Sequence, residues 1–219
     1  MKLIIAIVFS ITLLAAGCED PAANKPKAVT SEPSASKSAS NSDSLAATPA
    51  AAKGEALTIS AETSKVSFVG SKVTGSHNGG FKEFSGSIDL VNARPEESSV
   101  QVKMDANSVF ADDPGLTDHL KSADFFDAAK FPFASFRSTK IEPTGVTGEY
   151  TVTGDLELRG TPKSVTFPAR IDVSDDAVSV KADFRINRKD FGIVYAGKAD
   201  NLIRDDVAIT LDVKAGRQR

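Results

Sequence analysis

The segment Tyr150-Thr151-Val152-Thr153-Gly154-Asp155-Leu156-Glu157-Leu158 decides the fold, because apolar or small residues alternate with polar ones along its whole length. A period of two is typical of a β-strand with one face in a core and the other in water. Turn signals such as Asn78-Gly79-Gly80 and Pro143-Thr144-Gly145 favour antiparallel hairpins. The sequence therefore predicts an all-β fold built on an antiparallel sheet. The same alternation recurs in segments 84–90, 100–104, 165–173, 178–186 and 207–213.

One segment between the strands has helical character. Asp113 is a suitable N-cap, Pro114 suits the first helical position, and Leu116, Leu120 and Ala123 share one face. We predict that this short helix closes one end of the sheet.

Two architectures fit the alternating strands, a closed up-and-down barrel and a two-sheet sandwich. The predicted inner faces mix large and small residues, as in Phe167 with Ala169 and Phe184 with Ala182, and the chain has no Trp. Such faces leave space along the strands. This pattern favours a barrel of roughly eight strands around a ligand cavity.

Several short motifs carry more information in their order than any of them does alone. They are Phe81-Lys82-Glu83-Phe84-Ser85-Gly86, His119-Leu120, Asp124-Phe125-Phe126-Asp127, Phe131-Pro132-Phe133, Gly154-Asp155-Leu156-Glu157-Leu158, Asn187-Arg188-Lys189-Asp190-Phe191-Gly192 and Asp205-Asp206-Val207. With these motifs the chain from Leu57 to Val213 resembles the YceI-like family of periplasmic lipid-binding proteins. The resemblance implies a lipocalin-like β-barrel whose elongated hydrophobic pore binds a polyisoprenoid or an isoprenoid quinone.

Apolar side chains on the predicted inner faces are the candidates for contact with such a lipid. A long branched tail needs an apolar channel, and burial of apolar surface at about 25 cal/mol per Å² drives its binding. For each candidate, ordinary core packing is the alternative interpretation. Leu120 and Phe125 are expected near the end closed by the helix. The predicted lipid-binding residues are Phe68, Phe84, Ile88, Met104, Phe110, Leu120, Phe125, Phe133, Phe136, Leu156, Leu158, Phe167, Phe184 and Tyr195.

Residues 1–17 have the plan of an export signal peptide. Lys2 precedes an apolar run that is too short to cross a bilayer, and small residues end the segment. The run Leu14-Ala15-Ala16-Gly17-Cys18 resembles the lipobox of bacterial lipoproteins. This resemblance implies that Cys18 is lipidated and anchors the protein in the bacterial cell envelope, facing the periplasm. Whether the inner or the outer membrane holds the anchor is left open.

Residues 18–56 are rich in Ala, Ser, Pro, Lys and Thr. Such a composition predicts a disordered linker after Cys18, because it cannot bury enough apolar surface to offset the entropy of ordering. A coil of this length spans roughly 30–40 Å and would hold a domain clear of a membrane. The lipid-binding barrel is predicted to occupy residues 57–219.

The sequence contains no HExxH helix, no paired Cys framework, no Gly-x-Ser-x-Gly elbow and no Gly-rich phosphate loop. We therefore predict a protein that is not an enzyme and that holds no metal ion or cofactor besides its lipid. An enzyme that uses His119 and Asp118 at the barrel mouth is one alternative. An interaction module with a solid core is another, and the roles of His77 and His119 are left open.

The formal net charge of -3 argues against a nucleic-acid partner. The expected partners are the isoprenoid lipid and the membrane that holds Cys18. Formation of a homodimer is left open.

Overall fold

The computed structural model describes residues 20–33 and 54–217. Within these residues the chain forms one helix, α1 (Pro114–Lys121), and short 3-10 turns at Pro95–Glu97, Ala106–Ser108 and Arg188–Phe191. The strands are β1 (Val29–Ser31), β2 (Glu55–Ser60), β3 (Lys65–Lys72), β4 (Gly75–Phe81), β5 (Phe84–Leu90), β6 (Ser99–Asp105), β7 (Val109–Ala111), β8 (Phe133–Pro143), β9 (Glu149–Leu158), β10 (Thr161–Val173), β11 (Ala177–Asn187), β12 (Gly197–Lys198), β13 (Asn201–Leu202) and β14 (Asp206–Gly216).

One curled antiparallel sheet contains all strands except the small β12–β13 hairpin. Its order is β2-β5-β6-β8-β9-β10-β11-β14-β3-β4-β7, with β1 paired to β10. A 2.9 Å ion pair between Glu55 and Arg217 brings the start of β2 next to the end of β14. The predicted class, an antiparallel barrel-like sheet with a short closing helix, is confirmed. The sequence predicted roughly eight strands, whereas the described residues contain ten strands of six or more residues.

Part of this difference lies in β4, whose Asn78, Gly79 and Gly80 had favoured a turn. In the structure these residues pair with β3 and β7. A Cβ atom at Gly79 would lie 2.5 Å from the Phe68 ring and 2.5 Å from the carbonyl oxygen of Phe110. The glycine is therefore needed for close packing within a strand rather than for a turn.

Helix α1 begins where the sequence predicts. Asp113 accepts a 2.7 Å hydrogen bond from the N–H of Leu116, and Pro114 lies in the first turn. Leu120 is buried against the core, so α1 covers one end of the barrel. We call this end the mouth end; it also contains the β3–β4 turn and segment 188–204. The far end contains the β8–β9 turn.

Residues 20–33 are ordered against the barrel, so the prediction of a disordered linker throughout 18–56 is wrong for this part. β1 pairs with β10 through Val29 opposite Thr166 and Ser31 opposite Ser164. The predicted signal peptide, Cys18 and residues 34–53 lie outside the described residues.

The same segment also bonds to β11, and it thereby fills a gap in the barrel wall. The N–H of Ala28 donates to the carbonyl of Arg185, and the N–H of Arg185 donates to the carbonyl of Pro26, both at 2.9 Å. β10 and β11 pair directly only through 170–173 and 178–181. We call residues 26–31 the seam strand, because they join β10 to β11 nearer the mouth end.

Composition did not predict the seam strand, because backbone groups make most of its contacts. Ladder hydrogen bonds need no large side chain, and the small side chain of Ala28 is buried. The residues on either side of the seam strand are held by ion pairs of Lys25 with Asp183 and of Glu32 with Lys163.

We expect the Ala28→Pro substitution to open the seam. Proline removes the N–H that donates to Arg185, so the amide of Arg185 should exchange with solvent at least about tenfold faster, which corresponds to roughly 1–2 kcal/mol of local opening energy. Hydrogen exchange followed by mass spectrometry measures this. Val29→Ala is the matched control, since Val29 points to solvent. Equal exchange in the two variants would contradict the assignment.

Candidate functional site in the barrel lumen

Two apolar cavities lie end to end inside the barrel. The larger has a volume of about 210 Å³ and lies beneath α1 at the mouth end. The smaller, at the far end, has a volume of about 80 Å³. A dry apolar cavity of about 150 Å³ in another protein binds benzene, so the larger cavity has room for an apolar guest. The side chains that border both cavities are Val102, Phe136, Phe167, Leu211 and Val213.

The rings of Phe136 and Phe167 border both cavities and lie between them, and the ring of Phe184 packs against that of Phe167. The ring of Phe167 stacks on that of Phe184, with centroids 4.2 Å apart and planes inclined by 11°. The ring of Phe136 lies 5.8 Å from that of Phe167. We call these three rings the Phe wall.

The structure places ten of the fourteen predicted residues on the lumen. Ile88 borders the smaller cavity, and Phe136 and Phe167 border both. Their contact with a lipid stays a prediction. The ten residues are Phe68, Ile88, Met104, Leu120, Phe125, Phe136, Leu156, Leu158, Phe167 and Phe184.

The other four predicted residues lie elsewhere, which corrects the predicted lining. Phe133 is 46% exposed, with the Lys103 ammonium 3.6 Å from its ring centroid. Its position in β8 has the parity opposite to that of Phe136, so the strand turns it outward.

The other three residues lie outside the lumen, each for a different reason. Phe84 is buried in the core opposite Met104 but borders neither cavity. Phe110 lies on the short edge strand β7, where its ring packs over Gly80. Tyr195 packs on Phe125, with ring centroids 5.5 Å apart, and so lies behind a lining residue.

Sequence reasoning also missed part of the lining. Val207 and Ile209 on β14 continue the alternation of Leu211 and could have been found from it. Ile193 and Ile203 could not, because only the tertiary path of the segment after β11 turns them toward the lumen. Further missed residues of the larger cavity are Val66, Gly70, Phe81, Val102, Phe126, Val165, Ile186, Arg188, Leu211 and Val213.

Arg188 is the one charged residue on the larger cavity within the described parts of the chain. Its guanidinium donates to the carbonyls of Ile193 at 2.7 Å, Arg204 at 3.0 Å and Ile203 at 3.3 Å, and to Asp205 at 3.4 Å. Burial lowers the pKa of Arg188 below its ordinary value, and the charge of Asp205 partly offsets that shift. Because these bonds go to the loop, Arg188 holds segment 188–204 in place.

We expect Arg188→Ala to lower the free energy of unfolding by about 2–3 kcal/mol, because three carbonyls would lose their buried donor. Urea denaturation measures this loss. Lys189→Ala is the matched control, since Lys189 makes a solvent-exposed 2.9 Å ion pair with the same Asp205. That control should change stability by less than about 1 kcal/mol. Similar losses in both variants would contradict the assigned role of Arg188.

The two histidines each bond to one carboxylate and lie apart. His119 donates from Nε2 to Asp124 at 2.8 Å, and its ring packs edge-on against Phe125. His77 bonds to Asp112 at 2.8 Å. Hydrogen bonds from the N–H of Asn78 and from His77 hold the pKa of Asp112 below its usual value. In residues 20–33 and 54–217 no group of three or more His, Cys, Asp or Glu side chains could hold a metal ion.

The part of the chain that the structure describes contains no helix that is long and apolar enough to span a membrane.

The region of the chain that matches known proteins coincides with the barrel. Residues 57–215 match the model of the YceI-like domain. A UPF0312 protein of Pseudomonas putida is 34% identical over 140 residues, which cover 60% of this chain and 71% of that protein.

Solved structures show the same architecture. BcnA of Burkholderia cenocepacia superimposes with a TM-score of 0.62 at 27% identity, over 72% of this chain and 99% of BcnA. A polyisoprenoid-binding domain from Saccharophagus degradans superimposes with a TM-score of 0.61 at 17% identity, over 76% of this chain and all of that domain. At that identity the second likeness establishes the fold alone.

Proposed function

The chain belongs to the YceI-like family, and from that premise we propose that it binds an isoprenoid lipid, such as a polyisoprenoid or an isoprenoid quinone, inside the barrel. The observation that carries the proposal is the lumen, whose lining is apolar apart from Ser98, Ser99 and Arg188, and the guanidinium of Arg188 is bonded to loop carbonyls. Such a lining favours a hydrocarbon chain over any polar ligand, because burying an unpaired polar group there is costly. The polyisoprenoid-binding domain named above has the same fold, which supports this choice of ligand.

The size of the lumen restricts how such a lipid is held. A cavity of about 150 Å³ in another protein holds one benzene molecule. By comparison, the larger cavity of about 210 Å³ suits a short branched segment rather than a long tail. A longer tail must move the Phe wall to enter the smaller cavity, or it must leave part of its length outside the mouth. Affinity should therefore rise with tail length only until the lumen is filled.

The test is a titration of purified protein with quinones of graded tail length, together with mass spectrometry of an organic extract of the protein. We expect binding to tighten as each isoprene unit is added and then to level off. Absence of bound lipid together with indifference to tail length would reject the proposal. His119→Ala distinguishes a carrier from a barrel-mouth enzyme. We expect a carrier to keep its lipid affinity within about twofold, whereas an enzyme would lose turnover.

We further propose that the protein sequesters or transports its lipid while anchored through an acylated Cys18, on the periplasmic side of a bacterial envelope membrane. The export signal and the lipobox-like Leu14-Ala15-Ala16-Gly17-Cys18 support this location. Intact-mass analysis of the membrane-extracted protein should reveal the acyl chains, and Cys18→Ser should abolish them. An unmodified Cys18 in the mature protein would contradict the anchor.

A further inference from the structure

The mouth end of the barrel exposes a small apolar surface. Val73 in the β3–β4 turn is 57% exposed, Leu202 in β13 is 50% exposed, and Val194 in the loop after β11 is 62% exposed. Val73 and Leu202 are held together, because the N–H of Val73 donates to the carbonyl of Leu202 at 3.2 Å. Thr74 and Asn201 bond side chain to side chain at 3.0 Å and fix the same two loops. Single exposed apolar residues are ordinary, but these share one end of the molecule.

This apolar surface continues directly into the lumen. Ile193 and Ile203 border the larger cavity, and each is next in sequence to an exposed residue, Val194 and Leu202 respectively. An apolar molecule that reached these tips would therefore meet apolar side chains along its way into the barrel. The exposed surface therefore lies directly beside residues of the cavity wall.

The N-terminal segment begins at this same end. Asp20 pairs with Arg204 at 3.5 Å and accepts a 3.5 Å hydrogen bond from Ser71, and Ala22 is fully buried. Cys18 precedes Asp20 by two residues, which is about 7 Å of extended chain at most. A lipid anchor on Cys18 would therefore hold the mouth end close to the membrane, and not at the end of a long tether.

Charge adds little to this surface. Lys72 and Lys198 flank the apolar tips, but Asp200 lies in the same hairpin turn as Lys198. Mixed charges of this kind give weak attraction to an anionic membrane in physiological salt. Burial of the apolar tips must then supply most of the binding.

We infer that the mouth end docks on the surface of a lipid bilayer, with Val73, Val194 and Leu202 inserted among the lipids, so that the guest passes between membrane and lumen. The inference deepens the proposed function and rests on it for the identity of the guest. The docking surface itself is defined by exposed residues that do not line the cavity. Failure of docking is therefore separable from failure of ligand binding.

The absence of Trp from the chain permits a clean optical test. The mature chain from residue 18, which lacks the predicted signal peptide and carries Cys18→Ser to remove any acyl anchor, receives either Leu202→Trp or, as a matched control, Val146→Trp. Val146 is 57% exposed in the β8–β9 turn at the far end. Vesicles of phosphatidylethanolamine and phosphatidylglycerol should shift the emission of the first variant to shorter wavelength and leave the second unchanged. Brominated lipids should quench only the first.

A second variant keeps the inference falsifiable without the optical probe. Val73→Asp should weaken sedimentation with the same vesicles about tenfold, and high salt should change it little. Absence of an emission shift, or an equal shift at Val146, would overturn the inference. A shift that appears on raising the protein concentration without vesicles would overturn it in favour of a second copy of the chain. In each of these cases the quinone titration in vesicle-free solution still reports independently on the lumen.

Discussion

Gly70→Leu is expected to weaken lipid binding about a hundredfold while making the fold more stable. Gly70 lies on β3 and borders the larger cavity, and a Cβ atom built on it meets no other atom within 4 Å. Its φ angle is not in the left-handed region, so a leucine fits without backbone strain. The side chain adds four carbons to a space that the guest would otherwise fill. At about 0.8 kcal/mol for each displaced methylene the loss is roughly 3 kcal/mol, or two orders of magnitude in affinity.

The opposite sign of the stability change makes this prediction sharp. Filling a void and removing glycine from a strand should together raise the free energy of unfolding by about 1–2 kcal/mol. Urea denaturation gives the stability, and quinone titration gives the affinity. Gly216→Leu is the matched control, because it is an exposed glycine at the end of β14 whose Cβ also meets nothing within 4 Å. Unchanged lipid affinity in Gly70→Leu would show that the larger cavity is not the binding site.

Phe167→Ala should destabilise the lipid-free protein by about 3–5 kcal/mol and shift its preference to longer tails. Phe167 borders both cavities and contacts both other rings of the Phe wall. Its removal joins the two spaces and adds the volume of the ring. A tail can then extend by about one isoprene unit or more, so the longest quinones should gain at least about tenfold in affinity.

Phe84→Ala is the control for this second prediction. Phe84 is a buried core residue of the same type but borders neither cavity. The Phe84→Ala substitution should lower the free energy of unfolding about as much as Phe167→Ala does, and it should leave the order of affinities among quinones unchanged. If both variants give the same tail-length profile as the unmodified protein, the Phe wall does not limit the length of the guest.

The sequence was most informative where one residue reports one local property. The alternation of Tyr150, Val152, Gly154, Leu156 and Leu158 predicted β9, because the side-chain period of a strand is fixed by its backbone. Asp113 and Pro114 predicted the start of α1 for an equally local reason, the capping of unpaired N–H groups.

Local reasoning was weaker where contacts come from distant parts of the chain. Phe133 has the right chemistry for the lumen, but its parity in β8 turns it outward beside Lys103. Gly79 suggested a turn, yet it lies within β4. A glycine is required there because any side chain would collide with the Phe68 ring. The alternation within β8 alone would have shown the orientation of Phe133, whereas the role of Gly79 is decided by Phe68 and Phe110, which lie on other strands.

By itself, the sequence determined that the protein is an antiparallel β-structure with an apolar interior and one short helix, since these features depend on residue type and spacing. Only the tertiary structure decided three other features: the division of the lumen by the Phe wall, the placement of residues 26–31 between β10 and β11, and the gathering of Val73, Val194 and Leu202 at one end. The physical reason is that these features arise from hydrogen bonds and packing between segments as many as 160 residues apart, such as Thr30 with Asp190. No local pattern records them.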